Sequence, residues 1–186
     1  MLKKKIETFC PASRQDWRRW LEENHASKNS IWLVYYKINS GKPGISWSDA
    51  VDEALCYGWI DSIKKPIDQD TFMQFFCKRK PNSVWSRINK AKVEQLMGAG
   101  LMAKAGLAIV EIAQQNGSWT ILDSVEDMLI PEDLEKGFDS SDGSRDIFWG
   151  LSKSVRKEML HKLVVAKKPE TRQKRINEIL HRIKPG

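Results

Sequence analysis

Every strand-like segment of this chain lies between Ser30 and Lys78, and almost everything outside that window reads as helix or polar connection. Ile31-Trp32-Leu33-Val34-Tyr35-Tyr36 is too rich in β-branched and aromatic residues for a surface helix. It predicts a strand from Ser30 to Ile38 that is buried on at least one face. Trp59 to Lys65 and Thr71 to Lys78 predict two more, joined through Pro66-Ile67-Asp68-Gln69-Asp70 as an antiparallel hairpin with an irregular loop. Period-two alternation places Trp59, Asp61 and Ile63 on one face of the first hairpin strand. In the second, Phe72, Gln74 and Phe76 share one face, while Met73, Phe75 and Cys77 share the other. So few strands make only a small antiparallel sheet, and helices must cover it. The expected fold class is α+β.

The helical segments carry their own punctuation. Ser13 is a plausible cap for a helix reaching Asn24, with Asp16 in the capping-box position and Trp17, Trp20 and Leu21 on one face. Ser46 or Ser48 can start a second helix whose Ala50, Val51, Ala54 and Leu55 face inward, with Gly58 as its stop. Asn89 reads as the cap of a third, packing Val93, Leu96 and Met97. Ala103 to Asn116 is a fourth, with Leu107, Val110 and Ile112 to bury. Beyond residue 120 the pattern is helical, apart from an acidic connection from Trp119 to Ile130 and a polar break from Asp139 to Gly143. Pro131 opens a short helix, and Ser152 or Ser154 caps another running to about Lys168. Pro169 begins a last helix with the stripe Ile176, Ile179, Leu180 and Ile183. The expected division is an α+β domain over residues 1–120 and a helical domain over 121–186.

Composition narrows the function classes. With 41% hydrophobic residues in 186, the chain has material for a core, and disorder is not expected over most of it. No apolar run approaches the ~20 residues of a membrane helix. No apolar stretch follows the basic residues at the start, as a secretory signal would require. Cys10, Cys56 and Cys77 stand far apart and number three, which reads as reduced thiols of a cytoplasmic protein. His25, His161 and His181 have no metal spacing, so neither a metal nor a cofactor is expected. The net charge of +7 is unevenly placed. Residues 151–186 hold 11 Lys/Arg against 3 Asp/Glu, and residues 61–92 hold 8 against 3. Residues 111–146 hold 10 Asp/Glu against Lys136 and Arg145. An acidic segment and a basic tail can neutralise each other in the fold.

The richest concentration of chemistry-bearing side chains runs from Tyr57 to Asn89. Trp59, Asp61, Arg79, Ser83, Trp85, Ser86 and Asn89 are the candidate ligand-binding residues. A guanidinium beside a helix start makes an anion site, with Arg79 and Ser83 as first contacts. Trp59 and Trp85 could stack on a planar ligand. Each residue also has a structural account: Asp61 in an ion pair with Lys64, Lys65, Arg79 or Arg87, and the indoles in the core. Arg172 and Arg175 are candidate contacts for an anion or partner, or for the acidic 123–142 segment.

Glu53-Ala54-Leu55-Cys56-Tyr57-Gly58-Trp59-Ile60-Asp61 followed by Arg79-x-Pro81-x-Ser83-x-Trp85-Ser86-x-x-Asn89 resembles the YdeI/OmpD-associated, bacteriocin-protection family. Leu151-Ser152-x-Ser154-x-Arg156-Lys157 and the run Ala166 to Ile176 resemble that family's helical domain. The resemblance extends from the Trp17-Trp20-Leu21 helix onward. It implies a role in bacterial tolerance of antimicrobial peptides or envelope stress, with an outer-membrane porin as one conceivable contact, and it carries over no catalytic set.

The leading expectation is a non-enzymatic protection protein that binds an anionic ligand or a protein partner. A nucleic-acid-binding module using segments 61–92 and 151–186 is the first competitor. A small-molecule enzyme with Asp61 and Arg79 in one cleft is the second.

Overall fold

The computed structural model describes residues 6–184. They form two compact units. One runs to Ser83 and resumes with Ile88–Asn116; the other takes Val84–Arg87 and the chain from Gly117 onward. With the sheet in the first and only helices in the second, the α+β expectation holds.

The sheet has four strands in the order β1-β2-β4-β3: β1 (Thr8–Phe9), β2 (Ser30–Tyr36), β3 (Trp59–Pro66) and β4 (Thr71–Lys78). β2–β4 and β3–β4 pair antiparallel as expected, while β1 adds a short parallel edge on β2 that the sequence pattern does not announce. Two residues are too short a stretch for periodicity to register. β2 also stops earlier than the expected Ile38. Ile38 lies in a 3₁₀ turn, Ile38–Ser40, which ends at Gly41 with φ 66°.

A register shift in β3 between Asp61 and Lys64 corrects the simple alternation. Asp61 faces the Phe76 position and Lys64 the Gln74 position, so one extra residue sits in β3. Lys64 therefore takes the place on the helix-covered face that alternation assigns to Ile63, and Ile63 is exposed.

Helices α1 (Arg14–Asn24) and α2 (Trp47–Cys56) cover that face. Ser13 caps α1 by accepting from the Asp16 amide at 3.1 Å, and Ser46 caps α2 by accepting from the Asp49 amide at 3.0 Å. Trp17 and Leu21 are wholly buried, and the Trp17 indole N–H donates to Ala50 O at 3.0 Å. The two helices are also joined by charge. Glu53, 3% exposed, accepts from Arg14 Nε and Arg18 Nη1, each at 2.6 Å.

α3 (Arg87–Gly98) and α4 (Lys104–Gln115) complete the unit. The helix α3 begins at Arg87, so Asn89 lies within its first turn and is not its cap. Met97, Leu107 and Ile112, expected inside, are exposed. On α4 the packing stripe is Gly106, Val110 and Ala113. A Cβ on Gly106 would stand 2.2 Å from Cys56 O, so α4 meets the end of α2 backbone to backbone. Small residues mark this closest approach, which a search for bulky apolar residues overlooks.

The second unit contains α5 (Asp123–Glu126), α6 (Glu132–Asp139), α7 (Ser144–Gly150), α8 (Lys153–Val164) and α9 (Pro169–Arg182). Leu134, Phe138, Phe148, Met159, Leu160, Leu163, Ile176, Ile179 and Ile183 form its core. Ser152 caps α8, and that helix ends at Val164, four residues short of the expected Lys168. Pro169 at the start of α9 keeps Lys168 out of helical backbone, since the residue before a proline avoids it.

Candidate functional site: a lysine-rimmed groove at one end of the sheet

The seven residues expected to form a site are divided between the units. Trp59, Asp61, Arg79, Ser83 and Asn89 fall in the first, and Trp85 and Ser86 in the second. Neither indole presents an open face to a planar ligand, because Trp59 and Trp85 are both essentially fully buried. Trp59 packs edge-on to Trp20, and its indole N–H is buried without a hydrogen-bond partner among the described residues. The Trp85 ring lies 4.9 Å from that of Trp119. The Ser83 amide closes a turn onto Lys80 O at 2.9 Å. The Arg79 amide donates to Gly58 O at 2.9 Å, and burial pushes its guanidinium down to about 10, with Asp61 opposing that drop. It stays charged at neutral pH.

Asp61 does not enter the ion pair expected of it. Its Oδ2 accepts from two neutral donors, the Trp47 indole N–H at 3.0 Å and Gln74 Nε2 at 3.1 Å. Gln74 is buried and also donates to Ser62 O at 2.8 Å. The bulge permits this: it leaves the Ser62 carbonyl outside the regular ladder and brings Lys64 opposite Gln74.

Beside this cluster opens a groove of about 910 Å³. Its sheet side is Tyr35, Phe72, Lys64 and Pro66; its other wall is the connection from Tyr36 to Trp47. Tyr35 and Phe72 are cross-strand partners, and their rings stack at 4.9 Å with planes 5° apart. The Lys64 ammonium sits 4.0 Å from the Phe72 ring centroid, and that of Lys42 lies 5.2 Å from the Tyr36 ring. Lys37 donates to the carbonyls of Asp68 and Gln69 at 2.8 and 3.0 Å, which pins the rim to the hairpin loop. Three lysines and no carboxylate line the groove.

One group in the groove wall stands out. Tyr35 is 3% exposed, and its hydroxyl is buried without a hydrogen-bond partner among the described residues. Burial, aided by the negative Asp61, raises its pKa far above the usual phenol value, so the hydroxyl is a neutral donor. Sequence reading missed Tyr35 because a tyrosine in a strand pattern looks like core. The groove also reuses Trp47, whose position at the first turn of α2 gave it no special mark.

The cations proposed for outside contacts are largely engaged inside. Arg172 uses Nε and Nη2 on the two oxygens of Asp133, at 2.5 and 2.9 Å, and Nη1 on Leu163 O at 3.1 Å. It reaches the acidic segment as charge segregation suggests, and its fork is filled by that contact. Arg175 pairs with Glu178 on its own helix at 2.7 Å. In the basic stretch before residue 92, Lys78 donates to Ala26 O, Arg87 pairs with Asp127 and Lys92 with Asp52. Asp61 and Arg79, the proposed acid and anion clamp, both lie outside the lining of the groove. No group of three or more His, Cys, Asp or Glu among the described residues is arranged to hold a metal, and no described helix is long and apolar enough to cross a membrane.

Comparison with known families divides the chain as well. A family model described as a domain of unknown function, DUF8412, matches residues 9–109, more than half of the sequence. The chain belongs to that family. A second model, described as bacteriocin-protection, YdeI or OmpD-associated, matches residues 127–186. The resemblance to that family is thus borne out over the helical region, where the 151–157 and 166–176 motifs lie. The 53–89 motifs fall wholly within the DUF8412 match. No curated protein and no solved structure matches the chain. The association with bacteriocin protection therefore rests on the C-terminal match.

Proposed function

We propose that this chain is a non-enzymatic, cytoplasmic protection protein whose sheet unit binds a small anionic ligand in the Tyr35–Lys64 groove. The observation that carries the reading is the groove's charge: among the described residues Lys37, Lys42 and Lys64 line it and no carboxylate does, Asp70 standing 3.7 Å from Lys42 outside the lining. A concave, mostly apolar site of this size with a few convergent polar groups is the usual form of a small-molecule pocket. Binding is favoured over catalysis because Asp61 is committed to Trp47 and Gln74 and stands outside the groove. The bacteriocin-protection family match supplies the biological setting, and sequestration or sensing of a ligand is an action that fits a lining with no carboxylate base among the described residues.

An anionic aromatic fluorophore, 1-anilinonaphthalene-8-sulfonate, tests the reading directly. Wild-type protein should bind it with an affinity that falls as salt rises. Lys64→Met should weaken binding about fivefold or more, the loss of one partly screened charge contact. Equal binding by wild type and a Lys37/Lys42/Lys64 triple Met variant would remove the groove from consideration.

A further inference from the structure

We propose that the groove selects an apolar acid that also carries a neutral carbonyl-type oxygen, with the acid at the lysine rim and the oxygen accepting from Tyr35. This rests on the groove-binding reading above and goes on to name the ligand's chemistry.

The Tyr35 hydroxyl is the starting point. It is buried, it belongs to a residue of the groove wall, and no described residue satisfies it. Leaving a hydroxyl so placed costs on the order of 1–3 kcal/mol, and an acceptor delivered by a ligand recovers much of that. The acceptor must be neutral. The Asp61 carboxylate accepts from the indole N–H of Trp47, a groove-lining residue, so a full anion set on this side would meet a nearby carboxylate.

The acid group of the ligand has a different place. Lys64 is held over Phe72 and has no carboxylate within ion-pair distance among the described residues. Lys42 has only Asp70, at 3.7 Å and half exposed. The start of α2 is no competitor for the anion, because Asp49 already stands in its first turn and accepts from the Ser46 hydroxyl at 2.6 Å. The apolar part of the lining includes Phe72, Pro66, Ile45, Ile38 and Trp47. Ile38 is 99% exposed and Trp47 50%, unusual for such large apolar residues, and both border the groove. An aromatic or branched aliphatic body would cover them.

A matched pair of probes separates the two levels of the proposal. 4-Benzoylbenzoate has an acid, two rings and a ketone; 4-benzylbenzoate replaces the ketone by a methylene. Each is titrated calorimetrically into the full chain and into Tyr35→Phe and Lys64→Met, with folding of each variant checked by circular dichroism. Wild type should prefer the ketone about tenfold. Tyr35→Phe should abolish that preference by weakening the ketone acid, while Lys64→Met weakens both acids alike. A ketone preference that survives Tyr35→Phe, or none in wild type, overturns the assignment of Tyr35 while the groove reading stands. Binding of both acids that is indifferent to Lys64→Met, or no binding of either at millimolar concentration, overturns the groove reading and this inference with it.

Discussion

Glu53, Gln74, Arg79 and the Tyr35 hydroxyl are all buried in the sheet unit, whereas Ser118 and Ser144 are the buried polar residues of the helical unit. The helical core is built from aliphatic and aromatic side chains alone. Its charges meet near the surface, as in Arg172–Asp133, Arg145–Asp139 and Lys162–Glu158. Buried polar groups cost stability unless they are fully partnered. The helical unit meets that cost at Arg156 Nε, and the sheet unit at the Trp59 indole N–H and, beside the groove, the Tyr35 hydroxyl, none with a hydrogen-bond partner among the described residues. Polar groups concentrated beside a cavity are where ligand chemistry is expected, and a dry apolar core is where it is not.

Four substitutions can break or sharpen this contrast. Phe148→Ala should have the largest effect, destabilising by about 4 kcal/mol in chemical denaturation, because a fully buried ring that packs on Phe138 is lost from a core with no polar compensation. A loss below about 1 kcal/mol would show that the helical core is loosely packed and the contrast overstated. Glu53→Ala should cost about 3 kcal/mol, since it leaves Arg14 and Arg18 at a partly buried site without their shared carboxylate. A negligible loss would mean that the α1–α2 charges are ordinary surface groups.

Smaller effects test the surface pairs. Asp133→Asn should cost about 1 kcal/mol at neutral pH, because the pair it breaks is partly exposed. The hydrogen bond from Arg172 holds the Asp133 carboxyl below its ordinary value. A group depressed in the folded state contributes stability above its unfolded pKa, near 4, and loses it as pH falls through the lower folded value. The difference between wild type and Asp133→Asn should therefore shrink on acidification below about pH 4. A difference that is constant from neutral to acid would exclude the ion pair as its source. Tyr35→Phe should have the smallest effect and the opposite sign, a gain of up to about 1 kcal/mol, since it removes a buried hydroxyl that has no partner. A loss of stability would show that this hydroxyl is satisfied in solution, and the groove argument would lose its starting point.

Much of the fold was legible because local signals agree with one another. Ser13, Ser46 and Ser152 cap the helices they were expected to cap, and the 59–78 hairpin pairs as its patterning predicts. The failures have separate causes. Leu107 and Ile112 are large and apolar, but Gly106 lets α4 approach α2 so closely that Gly106, Val110 and Ala113 are the buried stripe. On α3, Val93 and Leu96 are buried and Met97 is not. Ile63 was assigned with Trp59 and Asp61 because alternation assumes an unbroken ladder, and the bulge breaks it.

The candidate site was legible only in part. Asp61 was marked for its chemistry, but its partners Trp47 and Gln74 are 14 and 13 residues away, and nothing in the spacing joins them. The sequence by itself determined the fold class, the caps, the hairpin and the charge segregation that ends in Arg172–Asp133, since each depends on neighbours along the chain or on composition. Only the tertiary structure decided which polar groups are buried, that Lys64 lines the groove, and that Tyr35, another lining residue, has a buried hydroxyl with no hydrogen-bond partner among the described residues. Burial and hydrogen-bond satisfaction depend on which strands and helices meet in space, and no local pattern encodes that.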